Sequence, residues 1–140
     1  MKDTLERIRR IRDHGKRMAR LELVRAENER SDHRRRQALL DQRIDAARTS
    51  ADASSVADMA SYHSFRMRME VATRRTEHAI QQAELRVEDK REKVSAAARE
   101  AEVIKLMLEN RIEEERVEQA RSERGERDEA AVQAWMKKAS

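Results

Sequence analysis

The chain is predicted to be all-α, a two-helix antiparallel coiled-coil hairpin with a longer second helix, and three observations carry that expectation. Of its 140 residues 43% are charged and 2% aromatic, whereas a globular domain has about 25% charged residues. There is no proline, the commonest helix breaker. Apolar residues recur at three, four and seven positions, as a helix–helix seam requires. Disorder is the competing reading of high charge. It is disfavoured by the near balance of 32 basic against 28 acidic residues and by the periodicity itself.

The first helix is expected over about residues 4–48. Asp3 with Glu6 three residues on reads as a capping box. Leu5, Ile8 and Ile11 follow, then Met18, Leu21 and Val24, then Leu39, Leu40 and Ile44, an apolar series that calls for a partner. Between the last two groups Arg25 to Gln37 is almost wholly polar, and Gly15 costs about 1 kcal/mol relative to alanine. The middle of this helix should be its weakest part.

A turn is expected at about 49–57, Thr-Ser-Ala-Asp-Ala-Ser-Ser-Val-Ala, where Ser and Asp compete for backbone hydrogen bonds. Ser55 with Asp58 gives a second capping-box start. A short polar link folds two helices back as an antiparallel pair.

The second helix, expected over about 56–136, carries the clearest pattern. Ile80, Val87, Val94, Ala101 and Leu108 recur every seven residues, with Ala83, Lys90, Ala97 and Ile104 as the d-type companions. The register extends upstream through Tyr62, Met69 and Met59. A seven-residue repeat implies a left-handed supercoil. The alanine-rich seam lets helices approach closely but buries little area per layer. Beyond Leu108 the stripe thins into a charged segment supported by pairs such as Glu113–Arg116 and Glu123–Arg127. A helix of that length spans about 120 Å and outruns the first, so its C-terminal part should overhang as a docking element. The whole chain reads as one elongated domain.

No catalytic, cofactor or metal site is expected. Cysteine is absent, and His14, His33, His63 and His78 lack the i+3 or i+4 partners of a zinc motif. No glycine-rich phosphate loop occurs, and the carboxylates sit on solvated faces. No apolar run approaches the roughly 18 residues of a membrane span, and the start lacks a signal-like stretch, so a cytoplasmic location is expected. Residues 1–50 hold fifteen Lys and Arg against nine acids, while 109–129 is acid-rich. A basic coiled coil can bind nucleic acid, with affinity falling steeply in salt. A solvated flank is the simpler account of interspersed charge, including Arg34-Arg35-Arg36, which spans about 200° of helix. A self-associating structural coiled coil is a further alternative.

The aromatics are more specific. Tyr62 and Phe65 are followed by Met69 and Ala72 at helical spacing. Tyr62 and Met69 fit the seam; Phe65 is offset from it, either packed near the turn or exposed as an anchor. Trp135 has no local core and either anchors a partner or stacks on a neighbouring turn.

With these residues in view the chain resembles the FliJ/YscO family of type III export proteins. Tyr62-x-x-Phe65 followed by Met69, Ala72 and Thr76 is similar to the start of that family's second helix. The run from Leu108-Glu109-Asn110-Arg111 and Asp128-Glu129-Ala130-Ala131 resemble its C-terminal region. Arg124 stands where that family often has glutamine, and Ala130 where it has an aromatic. The resemblance implies a cytoplasmic coiled coil, peripheral at the inner face of the cell membrane. It implies that the protein binds the hexameric export ATPase, links it to the membrane export gate and handles export chaperones, without a small-molecule substrate. It places gate contacts at Tyr62, Phe65, Met69, Ala72 and Thr76. ATPase contacts fall at Arg111, Glu114, Glu118, Arg124, Asp128 and Glu129.

Overall fold

The computed structural model describes residues 2–50 and 56–139. Two helices account for them: α1, Lys2–Ser50, and α2, Val56–Ala139. No strand occurs among the described residues. Both helices run further than the sequence suggests. Thr49 is helical, and its hydroxyl donates to the Asp45 carbonyl at 2.6 Å, the i−4 bond open to a threonine within a helix. The centre of the expected turn, residues 51–55, lies outside the described residues, as does Ser55 of the second capping box. Asp3 falls inside the first turn of α1 rather than before it, where its carboxylate still faces the positive end of the helix dipole. Gly15 and Gly125 leave their helices unbroken.

The chain divides into two units: Met1–Gly15 with Ala97–Ser140, and Lys16–Ala96. In the second, α1 and α2 pack antiparallel. Arg34 pairs with Glu84 at 3.1 Å, Glu29 with Arg86 at 2.7 Å and Glu22 with Lys90 at 3.1 Å, so that numbers fall on one helix as they rise on the other. The first of these joins the residues just after two d positions and the second those just before two a positions, the flanking pairs that an antiparallel seam brings together. Such exposed pairs add little energy singly, but they select orientation and register. The unit built from the ends has the same sense, with Arg12 2.8 Å from Glu100 and Lys2 3.9 Å from Glu115.

Along α2 the heptad holds from Tyr62 to Arg111: positions 62, 69, 76, 83, 90, 97, 104 and 111 are all buried or half-buried. Ala83 is completely buried and Val87 is 1% exposed; Ala101 and Leu108 are buried in the other unit. Met59 departs from the expected stripe and is 65% exposed, because the seam has not yet closed that near the turn.

On α1 the seam follows the expected apolar series only in part: Leu5, Ile8, Leu40 and Ile44 are half-buried as expected. Its inward positions are Lys16, Ala19, Leu23, Ala26, Arg30, His33, Gln37, Leu40, Ile44 and Ala47, with Ala26 buried and the others half-buried. Ile11, Met18, Leu21, Val24 and Leu39 are exposed instead. Ala19 and Ala26 are the small residues on α1 that let the backbones approach the alanines of α2. Lys and Arg lay their stems along the seam and carry their charges out of it.

Candidate interaction surfaces

Near the hairpin end of the unit Lys16–Ala96, both helices contribute to an open groove of about 320 Å³. Ile44 from α1 and Tyr62, Phe65 and Met69 from α2 are its apolar lining. Phe65 is half-buried here, its ring turned into the groove rather than out into solvent. The charged lining comprises Arg48, Arg66, Glu70, Arg74 and Glu77. Glu70 is shared by Arg66 at 4.0 Å and Arg74 at 3.9 Å, while Arg48 makes no ion pair with a described residue. Thr73 also lines the groove, and its hydroxyl oxygen is buried without a hydrogen-bond partner. A buried hydroxyl left unpaired is costly.

Of the residues assigned to the gate by resemblance, the structure brings Tyr62, Phe65 and Met69 together. Ala72 lines a neighbouring depression on the outer side of α2 with Met67 and Val71. The Thr76 hydroxyl donates to the Ala72 carbonyl at 2.9 Å and is already satisfied. Ile44, Arg48 and Thr73 were not foreseen as parts of this surface. Reading α2 alone hides them; folding Ile44 and Arg48 back across the link onto 62–69 would have found the two on α1.

The second surface is the end of α2. Lys2 reaches Glu115, and from Ile112 to Ala139 every residue is exposed. Arg111, Glu114 and Glu118 continue the line of the seam. Arg111 is half-buried, 3.9 Å from both Glu114 and Glu115, and its Nε has no hydrogen-bond partner. Glu114, Glu118, Arg124, Asp128 and Glu129 are exposed, with Arg124 and Asp128 one turn apart on a different face. Glu113 accepts two hydrogen bonds from Arg116, at 3.0 and 2.7 Å, and these hold its carboxyl below the ordinary range. Glu123 and Arg127 make no such pair. Trp135 is 69% exposed, and Val132 and Met136 stand beside it at i−3 and i+1, giving the free end an apolar face.

The histidines are scattered. His33 is half-buried in the seam, 3.8 Å from Glu29, whereas His14, His63 and His78 are exposed. No helix among the described residues is long and apolar enough to cross a membrane.

An antiparallel helix pair with an unequal second arm is a common shape, and geometry alone does not name it. The family model described as "Flagellar FliJ protein" matches residues 1–140, the whole chain. The chain belongs to the FliJ family. Searches against curated proteins and against solved structures find no match. Membership makes this FliJ-family chain a component of the flagellar export apparatus, and the two surfaces above become the places where its contacts are to be sought.

Proposed function

We propose that this FliJ-family chain is a non-enzymatic interaction protein that joins the hexameric export ATPase to the membrane export gate and handles export chaperones. The observation that carries the reading is the end of α2. It has no α1 residue opposite it past Glu115, yet it presents Val132, Trp135 and Met136 beside a run of carboxylates. An exposed aromatic with aliphatic neighbours on one helical face is the usual form of an interface anchor.

On this reading the C-terminal segment, with Arg111, Glu114, Glu118, Arg124, Asp128 and Glu129, docks on the ATPase. The groove of Ile44, Tyr62, Phe65 and Met69 takes an apolar side chain of the gate, with Arg48 free to meet an acidic neighbour. Binding the gate holds the protein at the inner face of the cell membrane.

A chain ending at Val117 keeps every α1–α2 ion pair and tests the first half. It should lose stimulation of the export ATPase while the remaining residues keep their helical content. Undiminished stimulation would remove the C-terminal segment from the contact. Phe65→Ala tests the second half by lowering gate affinity at least tenfold, the scale of an anchor residue, without touching ATPase stimulation.

A further inference from the structure

Within the unit Lys16–Ala96, the outer face of α1 carries a feature that neither of the proposed partners uses. Met18, Leu21 and Val24 are exposed on the side of the helix away from α2, Val24 to 49%. Arg17, Arg20 and Arg25 stand between and beside them. None of the three arginines makes an ion pair with a described residue. The single carboxylate of this stretch, Glu22, lies on the flank, 3.1 Å from Lys90, so its charge faces α2 first and Arg25 only weakly. The result is a face of three guanidinium groups, none held in an ion pair with a described residue, interleaved with three aliphatic side chains. It is held outward because Ala26 is buried on the opposite side of the same helix.

We propose that this face lies on the surface of an anionic lipid bilayer. The charge selects a partner rich in phosphate or carboxylate, and the aliphatic residues narrow the choice. Single-stranded nucleic acid is held by stacking on aromatics, and this face has none. A duplex backbone gives Met, Leu and Val nothing to bury against. A bilayer serves both: the guanidinium groups reach headgroup phosphates while the aliphatic tips enter the headgroup–acyl boundary, as in helices that lie in the interface plane. Arginine suits that geometry because its stem is apolar and its head stays at the polar surface. The contact goes beyond the ATPase and gate reading and does not depend on it.

Co-sedimentation of the full chain with vesicles tests it, comparing phosphatidylcholine alone with phosphatidylcholine containing phosphatidylglycerol, at low salt. Binding to the anionic vesicles only is expected. Arg17→Gln/Arg20→Gln/Arg25→Gln should lower the partition coefficient about 100-fold. Met18→Gln/Leu21→Gln/Val24→Gln, which changes no charge, should lower it about tenfold. Arg121→Gln/Arg127→Gln/Lys138→Gln removes the same charge elsewhere and should retain binding. Helical content by circular dichroism checks that each variant is folded. Equal binding to both vesicle types, retention by both face variants, or equal loss in the control triple would each overturn the proposal. So would tighter binding to duplex DNA than to the anionic vesicles. Loss of ATPase stimulation in the Val117 truncation leaves this readout untouched, so the two proposals fail separately.

Discussion

Ala83 and Val87 are where a single side chain matters most. Ala83 is completely buried at the close approach of the helices, and a larger residue there must push the backbones apart. Ala83→Leu should cost about 2 kcal/mol in denaturant unfolding, whereas Leu21→Gln on the exposed face should stay within about 0.5 kcal/mol. Charge pairs act differently, because they are exposed. The hydrogen bond from Lys90 is the main reason that the Glu22 carboxyl sits below its ordinary range, and the same bond raises Lys90. A depressed carboxyl stabilises the folded state at neutral pH and ceases to do so as pH falls through its folded pKa. Glu22→Gln should therefore lower the Tm slightly at neutral pH. The difference from the parent should vanish in acid, below the carboxylate range, which thermal melts across pH would show.

At the level of the helices, α1 and α2 were not equally legible. The α2 seam is spelled in Val, Ile, Leu and Ala every seven residues, and the structure follows it from Tyr62 to Arg111. Lys90, polar but on the stripe, is half-buried as the period requires. Four of the ten inward positions of the α1 seam, Lys16, Arg30, His33 and Gln37, are polar and disguise it. The larger aliphatics that look like a core, Met18, Leu21 and Val24, point away. A helix with two candidate faces cannot be oriented from its own residues; the partner's register decides. The groove was half legible for the same reason: Tyr62, Phe65 and Met69 share a helix, but Ile44 and Arg48 join them only through pairing. One seam residue remains imperfect. Arg30 Nε is buried without a hydrogen-bond partner, so Arg30→Leu should raise stability by about 1 kcal/mol, measurable as a higher midpoint in urea. A lower midpoint would mean that the guanidinium supports the seam through contacts to water.

For the molecule as a whole, protection is distributed unevenly along one continuous helix. Amide hydrogens between Ala83 and Leu108 belong to the best-buried stretch of α2, whereas those from Ile112 to Ala139 rest on a helix without a packed partner. Hydrogen exchange should be slowest over 83–108 and fastest over the last thirty or so residues, where fraying needs no tertiary contact to break. Docking should reverse this, slowing exchange over the C-terminal segment once the ATPase is added. The family fixes the setting as flagellar export, and within it we propose that the exposed end of α2 makes the ATPase contact. The most direct measurement is photocross-linking in the reconstituted complex, with a photoreactive residue placed at Trp135 and, separately, at Leu21. A cross-link to the export ATPase is expected from position 135 and none from position 21. A cross-link from 21 with none from 135 would contradict the proposal.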